Sequence, residues 1–185
     1  MHTSSLFTVL MSAALALANS VTFVSLDDIN RTIYWTPSVP NPPIPATYVS
    51  ARSSVSVDVP EGWYGNCYSV SEGKPNVPGM LAEVTFQGWQ GYTYFDVSAI
   101  VNPNDHEGIQ EMFPMQDTKH TSGCNPFPCN NAYYLPDDLQ TKTTTETDLI
   151  CTLGSGYIAK REAEPEAEEV IVRENVKHDF VVGKM

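Results

Sequence analysis

The chain has 185 residues, 42% of them hydrophobic, and a formal net charge of −12. That length suits one ordinary domain with room for a real core. So acidic a surface repels phosphate backbones, because nucleic-acid binding relies on Lys and Arg to release counterions. No basic stripe with interleaved aromatics offsets it, so nucleic acid is not an expected partner.

At the N-terminus, Met1 to Ser5 leads into an apolar run from Leu6 to Ala18 that contains no acidic residue. Small residues close it as Ala16-x-Ala18 or Ala18-x-Ser20, and either suits a signal peptidase. The run is too short for the roughly 20 residues that span a bilayer. Residues 1–20 therefore read as a signal peptide, and the product is expected to be secreted, extracellular or cell-wall associated, with no membrane partner. Four cysteines remain, Cys67, Cys124, Cys129 and Cys151. In an export context they read as two disulfides, for which three pairings exist. Cys124-x4-Cys129 lacks the histidine pair of a zinc finger, so neither metal nor cofactor is expected. Asn30-Arg31-Thr32 is an N-glycosylation sequon.

The first elements are Val21–Val24 and Thr32–Trp35, strands flanking the turn residues Asp27 to Asn30, which together predict a hairpin. Thr36 to Thr47 holds five prolines, which deny a sheet its donors and predict an ordered extended loop. Ser53 to Val59 alternates cleanly, with Val55, Val57 and Val59 on one face. Further strands are predicted at Asn66–Val70, Leu81–Phe86, Tyr92–Val97 and Leu149–Leu153, and one short helix around Gly108–Met112. Regular short strands punctuated by Gly and Pro predict an all-β sandwich or barrel over residues 21–154.

Beyond Gly154 the texture changes. Lys160-Arg161 is a dibasic step of the kind a kexin-type protease cuts, followed by Glu162-Ala163, Glu164-Pro165 and Glu166-Ala167. These resemble the dipeptide spacers of fungal pheromone precursors. From Glu162 to Met185 seven acids face three bases, and residues 155–185 read as an acidic, disordered, processed tail.

Four segments, in order, resemble the thaumatin-like family. They are Gly62-Trp63-Tyr64-Gly65-Asn66, Leu81-Ala82-Glu83-Val84, Phe95-Asp96-Val97-Ser98 and the run from Cys129 to Asp138. The chain is most similar to small fungal secreted proteins of this type, some of which carry a DNase-like name. The resemblance implies a thaumatin-like β-sandwich with disulfide-tied loops and an acidic cleft that binds, or slowly cleaves, β-1,3-glucan. Carried over by position, Glu83 and Asp96 match two cleft acids, and Asn66 stands where the family has arginine. The third acid falls near Asp105, at Val101 or Asn102, and the fourth on Asn131 or Asp137. The resemblance also implies the pairings Cys124–Cys151 and Cys67–Cys129.

Glycoside hydrolysis needs two carboxyls flanking the bond, one protonated and one ionised, and Glu83 with Asp96 could form that pair on adjacent strands. Of the aromatics between Glu61 and Phe95, most are expected in the core. Trp89, in the turn Gly88-Trp89-Gln90-Gly91, is the candidate for stacking on a sugar face. Asp105-His106-Glu107 could hold a divalent ion, although adjacent side chains rarely converge on one metal and a solvated loop accounts for them. The expected function is non-catalytic binding of β-glucan, another wall polysaccharide or a host surface protein. Competing readings are a weak β-1,3-glucanase using Glu83 and Asp96, a precursor of a secreted C-terminal peptide, and a secreted nuclease.

Overall fold

The computed structural model describes residues 19–156. The apolar leader and the Lys160-Arg161 site lie outside the described residues. Eleven strands form two sheets packed face to face: β1 (Asn19–Ser25), β2 (Arg31–Pro37), β3 (Thr47–Val49), β4 (Ser54–Val59), β5 (Tyr64–Ser71), β6 (Leu81–Thr85), β7 (Thr93–Ser98), β8 (Ile109–Pro114), β9 (Ser122–Gly123), β10 (Lys142–Thr144) and β11 (Asp148–Leu153). One sheet runs β4-β1-β11-β8-β9 and the other β10-β7-β6-β5-β2-β3. Neighbours are antiparallel except β1 and β11, which pair in parallel from Ser20↔Asp148 to Ser25↔Leu153. The expected all-β sandwich is what the chain forms.

Alternation explains the core. Val21 and Phe23 of β1, Leu149, Cys151 and Leu153 of β11, Cys67 of β5, Ala82 and Val84 of β6, and Phe95 and Val97 of β7 all point into the space between the sheets and are buried. Trp63 closes one end, fully buried, its indole nitrogen donating to the Pro42 carbonyl at 3.0 Å. That bond pins the proline-rich loop against the sandwich.

Four expectations change. β1 and β2 do not form a hairpin: both edges of β1 are taken, by β4 and β11, while β2 crosses to the other sheet between β3 and β5. Arg31, fully buried, holds the crossing. It meets Asp27 through two bonds of 2.7 Å and donates to the carbonyls of Ile29 and Glu107 as well. Burial opposes ionisation of Asp27, but these guanidinium bonds and the Ile29 N–H outweigh it and lower its pKa.

Secondly, Gly108–Met112 is not helical but opens β8. A bulge opposite Thr152 and Leu153 sets Leu153 against Ile109 and Thr152 against Glu111, leaving Gln110 as the extra residue. Ile109 and Met112 are both buried although three apart, so the bulge imitates helical spacing.

Thirdly, the disulfide joins Cys124 to Cys129, and neither pairing implied by family resemblance forms. Cys124 and Cys129 are half-buried at the two ends of one short loop, whereas Cys67 and Cys151 face the core as free thiols. The loop is fastened inward by Phe127, which is buried and whose N–H donates to the bulged Gln110 side chain. The strand at the N-terminal end also starts earlier than expected. Asn19 and Ser20 belong to β1, and Asn19 is buried, bonded to the Pro60 carbonyl and to the Gln87 side chain.

Candidate functional site

The outer face of the six-stranded sheet carries the chemistry. Register places Thr36, Asn66, Glu83 and Asp96 in one row across β2, β5, β6 and β7. One row along lie Tyr64, Thr85 and Tyr94. Strands pointing alternate residues outward make this arrangement automatic once β5, β6 and β7 are adjacent. A cleft of about 320 Å³ opens here, lined by Ser38, Tyr64, Asn66, Glu83, Tyr94, Asp96 and Thr141 among others.

The motif Gly62-Trp63-Tyr64-Gly65-Asn66 builds its floor. Gly62 takes a left-handed conformation at φ 68°, which turns the chain into β5. Trp63 then enters the core, and Tyr64 and Asn66 emerge on the cleft side. Gly65 has no room for a side chain: a Cβ there would stand 2.4 Å from the Thr36 carbonyl and 2.7 Å from the Trp63 ring. Tyr64 is tethered to the rim by a 2.8 Å bond from its hydroxyl to the Val39 carbonyl.

Glu83 and Asp96 are directly cross-strand, close enough for the Glu83 charge to act on Asp96. Asp96 is only 8% exposed. Thr141 donates to its Oδ2 at 3.2 Å, and Tyr133 hydrogen-bonds Thr141 in turn at 2.8 Å. The buried Oδ1 meets no hydrogen-bond donor. Burial first, and the Glu83 charge second, raise Asp96 to about 7, against a smaller opposing pull from Thr141 and Lys142. Below neutral pH Asp96 therefore holds a proton and can donate as well as accept.

The other candidates lie elsewhere. Asp105 sits in a second cleft, of about 380 Å³, lined by Ser69, Lys74, Asn102, His106 and Glu107 among others. There it accepts the N–H groups of Met80 at 2.9 Å, Glu107 at 3.1 Å and Gly108 at 2.9 Å. Asp137 is exposed, and neither it nor Asn131 lines the carboxyl-pair cleft. Asn131 instead donates to the Thr121 and Gly123 carbonyls. Trp89 is 74% exposed on its turn, joined to the cleft through the Tyr94 hydroxyl, which donates to the Trp89 carbonyl at 3.1 Å. Asn30 is half-buried; its Nδ2 donates to Glu72 and its oxygen accepts from Ala51. Among the described residues no group of three or more His, Cys, Asp or Glu is gathered closely enough to hold a metal ion. Thr141 and Ser38 are cleft residues that sequence reasoning missed, since both arrive from loops with no pattern to mark them.

No family model matches the chain. The antigenic protein SchS21 of Stachybotrys chartarum is 50% identical over 137 residues, which span 74% of this chain and 95% of that protein. The chain belongs to the SchS21 family. Its sandwich is that of the protein elicitor MoHrip2 from Magnaporthe oryzae, whose crystal structure superposes with a TM-score of 0.58 at 17% identity, over 75% of this chain and 100% of that one. At that identity the likeness is one of fold. The thaumatin-like xylanase inhibitor TLXI superposes more loosely, with a TM-score of 0.48 at 15% identity over 72% of this chain and 97% of the inhibitor, and adds nothing to it. Among the described residues no helix is long and apolar enough to cross a membrane.

Proposed function

We propose that this member of the SchS21 family is a secreted, thaumatin-like protein that binds cell-wall β-glucan in the Glu83–Asp96 cleft without cleaving it. The observation that carries the reading is the cross-strand carboxyl pair set among Tyr64, Tyr94, Asn66, Ser38 and Thr141. Sugars offer hydroxyls that both donate and accept, together with apolar ring faces; carboxyls, amides, hydroxyls and tyrosine rings complement both. Catalysis fits less well. Glycoside hydrolysis needs one carboxyl protonated and the other ionised, and Asn66 stands beside Glu83 where the family has arginine, so that position supplies no cation to hold a carboxylate ionised.

Co-sedimentation with insoluble β-1,3-glucan tests this. Wild type should pellet with the glucan, and Glu83→Gln and Tyr64→Ala should each weaken retention by about three- to tenfold, the range of one lost hydrogen bond or stacking contact. Wild type that stays in the supernatant sinks the proposal. Reducing sugar released from laminarin by wild type but not by Glu83→Gln would make the protein a glucanase instead.

Secretion carries its own expectation. Asn19 is built into β1, so signal cleavage after Ala18 leaves the sandwich whole whereas cleavage after Ser20 removes two paired residues. Mass spectrometry of secreted protein should find Asn19 first and a C-terminus at or before Arg161. A chain starting at Val21 and ending at Met185 would contradict both.

A further inference from the structure

Cys67 and Cys151 are the two cysteines that no bond joins, and each is buried in the core of a different sheet. Their relative position follows from how the sheets stack. β3 packs over β1 and β4, while β7 packs over β8 and β9. Since the strand orders run β3-β2-β5-β6-β7 and β4-β1-β11-β8-β9, β5 is left lying over β11.

Register sharpens this to single residues. On β5, Cys67 pairs with Trp35 on one side and Ala82 on the other. On β11, Cys151 pairs with Phe23 and Met112. The Trp35 and Phe23 rings meet edge to face across the sandwich, with centroids 5.6 Å apart. Each cysteine is thus the next residue inward from that contact, on the same level and facing the other.

We infer that Cys67 and Cys151 form an inter-sheet disulfide in the secreted protein, alongside Cys124–Cys129. Two S–H bonds break and one S–S bond forms, with two protons and two electrons passing to a disulfide-class oxidant that is itself reduced to two thiols. An oxidising export route supplies such oxidants. Timing follows from burial. Burial, then the neighbouring Cys151 sulfur, pushes the Cys67 thiol well above its ordinary pKa, and burial pushes Cys151 up too. Exchange requires an accessible thiolate, so the bond forms while the sheets close and not after.

The test is a digest of the full secreted protein, alkylated under denaturing conditions without reduction and mapped by mass spectrometry. The Cys67 peptide should be joined to the Cys151 peptide, and no cysteine should carry the alkyl label. Labelled Cys67 and Cys151 would overturn the inference, as would Cys67–Cys129 or Cys124–Cys151 cross-links. A second arm checks the timing. Protein refolded from the reduced, denatured state in a glutathione redox buffer should regain the Cys67–Cys151 peptide. Protein that is folded while reduced, then given oxidised glutathione, should not; if it does, the ordering is wrong.

Discussion

Asp96 and Asp105 are two acids that family resemblance assigns to, or near, one cleft, and the structure puts them to opposite uses. Asp105 spends both oxygens on three backbone N–H groups, tying the 102–108 loop to the start of β6. Asp96 receives one side-chain hydroxyl, keeps an unmatched buried oxygen and leans on a second acid. Bonding capacity that is used up locally marks a structural carboxylate; capacity left over, beside an open cleft, marks one available to a ligand. The same distinction separates Arg31, whose guanidinium is fully engaged, from Lys142, which only borders the carboxyl pair.

The largest expected effect lies on the structural side. Asp105→Ala strands three N–H groups and should cost on the order of 2–4 kcal/mol of stability, read from urea unfolding, while glucan retention at a temperature where the variant is folded stays at the wild-type level. A variant of normal stability that loses glucan would reverse the assignment.

Next comes the pH response of the pair. Asp96 is raised in the folded state, so its contribution to stability is fullest below the ordinary carboxylate range and is lost as pH rises through about 7. Asp96→Asn removes that proton linkage. It should be more stable than wild type by about 1–3 kcal/mol at pH 8 and should lose most of that advantage at pH 5. Equal pH slopes for the two proteins in thermal unfolding would show that Asp96 is not raised in the folded state. The smallest effect belongs to Trp89. Its exposure predicts that Trp89→Ala changes stability by no more than about 0.5 kcal/mol, so any drop in glucan co-sedimentation would extend the cleft onto that turn.

Much of the sandwich is legible in the chain. The alternation of Val55, Val57 and Val59 declares a strand and its two faces without outside help. What a strand does not declare is its neighbour. The turn from Asp27 to Asn30 signals reversal, yet the reversal carries β2 into the other sheet, because the edge it would have occupied belongs to β11, more than a hundred residues away in the chain. β8 was hidden for a different reason: its bulge shifts side-chain parity, so Ile109 and Met112 share a face at a spacing that a regular strand never shows. For the site, Glu83 and Asp96 come together because consecutive strands pair, which family motifs anticipate. Thr141 and Ser38 complete the cleft from loops whose positions depend on the whole fold. The cysteine pairing failed because it was taken from resemblance, while the deciding fact is which sulfurs face the core.

The parallel β1–β11 pair has one more consequence, for a chain that emerges N-terminus first. β1 sits inside its sheet with one long edge vacant until residues 148–153 have been made. Almost the whole domain must leave the ribosome before that sheet has its middle, so assembly waits on the last strand and long-range pairing sets the pace. Until then an unfilled β edge is exposed, and a chaperone able to shield it would find its natural substrate in chains stopped short of Leu153.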